Sequence, residues 1–368
     1  PKCKDNLLYK CDVYFTVSSK FTKYRLKYRD SRCFQRVYKP GFLLDEMKIH
    51  LSNSVWIGNI DPFIHSFDTT NDKILEITSH KKWVSVHPIV LCMIAGLGLF
   101  IRKINSELNF EKMEATSKHY FERMGLFKIL KLDSGIKITP HEPTGRFIPL
   151  QLITNSEELD DFIKEMIPLL HLQPEQAEPI KYIISELVRN VFEHASSPDG
   201  AIVCAQYYKK SNTIRIGVVD MGVGIKKTLE KFHHPSDDIK ALSLALTPGI
   251  TGTTTKIGGT ATNAGAGLFF IKSLAKMSRD FFMIYSGKAM YKLLKNPKNK
   301  QIKLISDPMK DHFSSETNLP FWKGTVVAID LCLDNTLNFN ELLDLIRKVY
   351  REGRKQQNKL KYKKPRFI

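Results

Sequence analysis

No two cysteines are spaced as CxxC, and none of the six, at positions 3, 11, 33, 92, 204 and 332, joins a Cys/His cluster at zinc-ligand spacing. That excludes a structural zinc site of the usual kind, predicts no disulfide framework, and fits a reducing compartment. Cys92, Cys204 and Cys332 fall in apolar runs, where a thiol is expected to act as a small core hydrophobe. A bilayer-crossing run is missing too. The longest apolar stretch, IVLCMIAGLGLFI from Ile89 to Ile101, stops at Arg102 and Lys103, short of the roughly 20 residues a membrane helix needs. It reads as a buried helix. The opening PKCKDNLLYK has no apolar segment of a secretory signal, so a cytoplasmic location without membrane contact is expected. Low-complexity segments are absent as well, and 42% hydrophobic with 26% charged residues describes a chain that folds.

Acidic residues are scarce at the two ends. Pro1 to His50 holds 12 Lys/Arg against 5 Asp/Glu, and Arg347 to Ile368 holds 10 against 1, so the ends carry most of the net charge of +18. Residues 1–50 are taken as a basic segment. Residues 346–368, with REGRKQQNKLKYKKPRFI at their core, are taken as a solvated basic tail without an apolar period, or as a frayed helix. Such ends can bind phosphate backbones without sequence preference, or acidic proteins, or serve solubility alone.

At 368 residues the chain has room for two domains. KILEITS reads as a strand, Pro88 to Ile104 as a helix, SKHYFERMGLF as a second helix and GRFIPLQLI as a strand ending near Ile153. This order predicts a small α/β domain over 51–154. His87, before Pro88, is expected to be structural. Asn155 with Glu158 three residues later forms a helix N-cap box, which marks a boundary. Over 155–345 the pattern is helix, helix, strand, strand, a long loop from Lys226 to Thr262, helix, three strands and a final helix, an α+β order.

The second of these helices contains SELVRNVFEH. Ile180, Ile183, Ile184, Leu187, Val188 and Val191 make one apolar face, and Glu186 and Asn190 project together from its flank. Half-buried polar groups there are costly unless something satisfies them. Downstream, the strand TIRIGVVD runs into DMGVGI, where Gly222 and Gly224 let backbone approach a flat ligand beside the Asp220 carboxylate. Further on, NAGAGLFFIKSLAK opens an apolar helix with Gly265 and Gly267, whose exposed N–H groups suit an anion.

Glu-x-x-x-Asn on a helix, Asp-x-Gly-x-Gly after a strand, Gly-x-Gly-Leu at a helix start and the late strand GTVVAIDL occur in this order. Together they resemble the Bergerat-fold ATP-binding module of the GHKL superfamily, which includes gyrase, the Hsp90 chaperone, histidine kinases and MutL. ELVRNVFEHA looks most similar to the anti-sigma-factor serine kinases and to stand-alone bacterial relatives. The resemblance implies a two-layer α/β sandwich over 155–345, with ATP and Mg²⁺ as cofactors. Asn190 would then bind the magnesium, and Glu186 would be the catalytic base for hydrolysis or for transfer to a Ser/Thr of a protein partner. Asp220 with Thr325 would contact adenine, Gly222, Gly224 and Ile225 would lie against the base, and Gly265, Gly267 and Leu268 would hold phosphate. The 226–262 loop would be the lid, with Lys256 its one charge between Thr251 and Thr262, and His194 would either reach phosphate or cap its helix. Residues 51–154 look like a STAS-like partner-binding domain. Three functions follow as alternatives: a GHKL enzyme, a non-catalytic ATP-gated binding module, or an ATPase that contacts nucleic acid through its basic ends. A homodimer is compatible with each.

Overall fold

The computed structural model describes residues 9–17, 20–28, 46–66, 74–80, 84–104, 107–110, 115–136, 147–170, 174–258, 265–297, 299, 301–334 and 339–361. The chain divides into two compact units, residues 1–44 and 45–368. In the first, β1 (Tyr9–Val17) and β2 (Lys20–Tyr28) form an antiparallel pair in register from Tyr9 opposite Tyr28 to Val17 opposite Lys20. Part of the segment taken as merely basic, Tyr9–Val17 and Lys20–Tyr28, is therefore two paired strands. In β2, Lys23, Arg25 and Lys27 alternate with Tyr24, Leu26 and Tyr28, a strand pattern that the charge count obscures.

The second unit begins with β3 (Glu46–Leu51), β4 (Ser54–Val55), α1 (Asp61–His65), β5 (Ile74–Ser79), β6 (Ser85–Val86), α2 (Pro88–Lys103) and β7 (Glu107–Asn109). Strands β3, β5 and β7 form a small parallel sheet, and β4 pairs in parallel with β6. The run from Ile89 to Ile101 is a buried helix, as its composition predicts. His87 caps it: its Nδ1 accepts from Ile89 N at 3.0 Å, so Nε2 carries the proton and donates to Asp330 at 2.9 Å. The expected second helix breaks in two, α3 (Ala115–Arg123) and α4 (Leu126–Ile129), because Gly125 takes φ +77°.

Next come β8 (Phe147–Ile153), α5 (Ser156–Leu170), α6 (Pro174–Asn190), β9 (Ala201–Tyr208), β10 (Thr213–Asp220), α7 (Ile225–His233), α8 (Asp238–Ala245) and α9 (Gly267–Met277). The chain continues with β11 (Phe282–Gly287), β12 (Ala289–Leu293), β13 (Phe313–Glu316), β14 (Trp322–Cys332) and α10 (Phe339–Lys361). The cap before α5 forms as expected, Asn155 Oδ1 accepting from Glu158 N at 2.9 Å, while the Glu158 carboxylate reaches back to Thr154 N at 2.7 Å.

A seven-stranded sheet of order β13-β12-β11-β14-β10-β9-β8, antiparallel throughout, organises this unit. Strand alternation gives it two apolar faces. Ile214, Ile216, Val218, Val327 and Ile329 face α5, α6, α9 and α10. Val219, Val326 and Ala328 share the other core with α2, which lies between the large sheet and the small parallel one. Gly217 permits that approach, since a β-carbon there would stand 2.6 Å from Ile89 Cα.

Four expectations are changed by these observations. Phe147–Ile153, read as the last strand of a smaller domain, hydrogen-bonds to β9 as an edge strand of the large sheet, and residues 45–368 cluster as one unit. The large sheet has a layer on each face, so a third layer joins the two-layer sandwich. Lys226 to Thr262 is not one long loop, because α7 and α8 occupy much of it; Asp237 caps α8 by accepting from Lys240 N at 2.8 Å. The basic tail is not separate from 346 onwards: as far as Lys361 it continues α10, in which Leu342, Leu343, Ile346 and Tyr350 are buried. Cys92 and Cys204 are core residues, whereas Cys332 is only partly buried. No helix among the described residues is long and apolar enough to cross a membrane.

Candidate functional site

The apolar face of α6 is buried as its period predicts: Ile180, Ile183, Ile184, Leu187, Val188 and Val191 all lie in the core. Glu186 and Asn190 therefore stand at the edge of the core. Directly after Asn190 the helix widens into a π turn over Val191–Ala195 and ends at Ser196 with φ +48°. The wider turn has a consequence for direction. In an α-helix His194 would sit about 40° further round the axis than Asn190, but at roughly 4.4 residues per π turn the same step stops about 33° short of a full turn and brings His194 round to the side of Glu186. Glu186, Asn190 and His194 thus face one space.

That space is a cavity of about 340 Å³. One wall is α6 with its π turn, carrying Tyr182, Glu186, Leu187, Arg189, Asn190, Glu193 and His194. The floor is the sheet, where Val218 and Asp220 of β10 neighbour Thr325 and Val327 of β14. Gly265, Ala266, Gly267 and Leu268, at the start of α9, close a second side. Gly224, Ile225, Thr228 and Leu229 around α7, with Ile250, Thr251 and Gly252 beyond α8, complete the lining. An apolar lining with a few converging polar groups is the usual make-up of a small-molecule site.

Asp220 is 3% exposed, and burial raises its pKa from 3.8 to about 6, against the pull of hydrogen bonds from Gly222 and Thr325. Its Oδ1 accepts from Gly222 N at 2.8 Å, and Trp322 Nε1 donates to its carbonyl at 3.3 Å. Burial likewise raises the pKa of Glu186; Arg189, with Nη1 at 3.6 Å, draws it down and Glu193 adds a smaller upward push. For His194, burial lowers the pKa and favours neutral imidazole, with Glu193 acting the other way. Asn190 Nδ2 is buried and has no hydrogen-bond partner among the described residues. An amide left so costs about 1–3 kcal/mol, and its position on the cavity wall makes the cavity the place for the missing partner.

Of the residues singled out in the sequence, Glu186, Asn190, Asp220, Gly224, Ile225, Gly265, Gly267, Leu268, Thr325 and His194 all line this cavity. Gly222 does not. It packs where a β-carbon would strike the Ala195 carbonyl, and its N–H fixes Asp220, so it acts one step behind the lining. Lys256 is also absent from the lining; its N–H donates to Thr254 Oγ1 at 3.1 Å in a local turn. Tyr182 and Arg189 went unnamed, whereas Thr228 and Ile250–Gly252 fall in the 226–262 stretch read as the lid. Tyr182 lies one turn before Glu186 and could have been found by extending the same stripe, but the others depend on tertiary placement.

No protein-family model matches the chain, and a search of curated proteins finds no significant match.

Proposed function

We propose that this chain is a Mg-ATP-binding regulatory protein of the GHKL type, which hydrolyses ATP or passes its terminal phosphate to a serine or threonine of a protein partner. The observation that carries the proposal is the opening of Asp220, Asn190 and the start of α9 onto one cavity. Helices α5, α6, α9 and α10 layered on one face of the antiparallel sheet support the Bergerat reading of residues 155–345, while α2, from outside that stretch, covers the other face.

The residues present fit the ligand. Asp220 is a buried acceptor at the sheet floor, suited to an exocyclic amine, and Thr325 stands beside it. Gly224, at φ +80°, gives a planar base room to approach. The start of the eleven-residue α9 offers backbone N–H groups to an anion. Asn190 would hold Mg²⁺ through its side-chain oxygen, and its unpartnered Nδ2 would still call for an acceptor, which a phosphate oxygen can be; an ion that keeps most of its waters needs no cluster of three carboxylates or imidazoles, and none occurs among the described residues. Bound Mg-ATP would supply an activated phosphoryl group with its charge partly neutralised. Glu186 would take the proton of the attacking water or hydroxyl, a task for which a raised carboxylate pKa is suited.

That raised pKa favours catalysis over a purely ATP-gated binding module. In the same reading residues 51–154 serve a protein partner as a STAS-like region. The exposed cations of α10 give nucleic acid a place to bind, as the ATPase alternative requires.

Titration calorimetry with Mg-ATP tests the pocket. The expected result is saturable, Mg²⁺-dependent binding by the wild type and its loss in Asp220→Ala. Unchanged affinity in that variant overturns the proposal.

A further inference from the structure

The segment that supplies Ile250, Thr251 and Gly252 to the cavity is held from behind by one side chain of α10. Arg354 donates from Nη2 to Ile257 O at 3.4 Å. A β-carbon on Gly249 would stand 3.0 Å from Arg354 Cγ, and one on Gly258 would collide with the guanidinium. Both glycines have positive φ, +81° and +93°, and Gly258 N donates to Gly249 O at 2.8 Å. The two ends of the segment therefore meet at the arginine. Gly249 N in turn donates to Gly265 O at 2.9 Å, so the same contact reaches the start of α9. One helical position before Arg354, Gly353 lies against Pro248 and Ser306.

The side chain is half-buried, and enclosing its Nε is costly, since that atom has no hydrogen-bond partner among the described residues. A leucine would fill the space without that cost. What the arginine adds is a stem that passes Gly249 and a planar fork that packs on Gly258 and still reaches a carbonyl.

We propose that Arg354 is a positioning residue for the cavity. Through it, α10 fixes where the 247–258 segment sits against α7 and the start of α9, and so sets the affinity for whatever the cavity holds. The ligand's identity rests on the Mg-ATP reading; the clasp does not.

The test uses the full chain and two readouts. Without nucleotide, amide hydrogen exchange of Arg354→Ala is expected to show Gly249 and Gly258 exchanging at least about tenfold faster than in wild type, with the β10 amides unchanged. Arg354→Lys, which keeps the stem and a donor, should recover at least half of that effect on a logarithmic scale. Wild-type exchange at both glycines in Arg354→Ala overturns the clasp, as does an equal acceleration in β10, which would mean general loosening. With Mg-ATP, Arg354→Ala should bind about tenfold more weakly while turnover at saturation holds. Faster exchange with unchanged affinity overturns the link to the cavity. A wild type that does not bind Mg-ATP overturns the nucleotide reading instead, and the exchange result still decides the clasp.

Discussion

A β-carbon built on Gly267 would stand 2.6 Å from Glu186 Oε2 and 3.8 Å from Asn190 Nδ2, so the first residue of α9 and the two polar residues of α6 lie in direct contact. The glycine leaves the carboxylate its position. Gly267→Ala would force Glu186 to move, and since the obstructing atoms end a flexible side chain, the fold should absorb the change. Alanine is also the better helix former by up to about 1 kcal/mol. The expected outcome is a melting temperature no lower than wild type with Mg-ATP turnover reduced roughly tenfold, measured by thermal unfolding and phosphate release.

Much of this wall could be read in the sequence because a helix period is local. The six apolar positions of α6 fix which side is buried, and that fixes the flank on which Glu186 and Asn190 project. The π turn could not be read, since SELVRNVFEH has the same spacing whether the helix widens or not. Asp220 and Gly224 were legible because a strand followed by glycines has a local meaning, but Gly222 looked equivalent to Gly224 and its contact with Ala195 is made across the fold. Helices α7 and α8 were hidden among the glycines and threonines that follow them. In α10 the lysines and arginines drew attention from the apolar stripe Leu342, Leu343, Ile346 and Tyr350, which crosses the expected boundary at 346. The partner of β8 lies in another segment, and no local pattern names it.

Glu186 separates an enzyme from a binding module. Glu186→Gln keeps the shape and removes the base, so Mg-ATP affinity should stay within about threefold while turnover falls roughly 10²-fold or more. The base works ionised, and its pKa is raised, so the acid limb of the wild-type rate profile should lie above the ordinary carboxylate range. Arg189 draws that pKa down, and Arg189→Ala should therefore move the limb to higher pH. Equal turnover in Glu186→Gln and wild type would leave only the non-catalytic reading.

Asp220 makes the unliganded protein's stability depend on pH. Its folded pKa of about 6 lies above the ordinary 3.8, so the fold favours the protonated acid. The contribution is fully present below about pH 4 and is lost as pH rises through about 6, a change of about 3 kcal/mol for a shift of this size. Asparagine keeps the oxygen that accepts from Gly222 N and never ionises. Asp220→Asn should therefore gain stability relative to wild type between pH 5 and pH 8, read from urea midpoints. A difference between the two proteins that stays constant with pH would show that the carboxyl is not held as described.

The far end of α9 is tied down by a buried charge cluster. Lys272 and Lys276, 1% and 5% exposed, both donate to the carboxylate of Asp311, which is itself buried. One negative group thus serves two ammonium groups out of water, and removing it leaves both uncompensated. Asp311→Ala should cost about 3–5 kcal/mol, the range for breaking a buried ion pair on one side. The sign with pH follows from Lys272, whose pKa burial already lowers. A buried lysine without its counter-charge gives up its proton more readily, so the deficit should shrink as pH rises from 7 towards 10. Because α9 carries this cluster at one end and Gly267 at the other, partial loss of the anchor should also weaken ligand binding at the cavity. Urea unfolding of Asp311→Ala at the two pH values decides the matter: a loss below about 1 kcal/mol at neutral pH, or a deficit that grows with pH, would mean the three groups do not form the buried cluster.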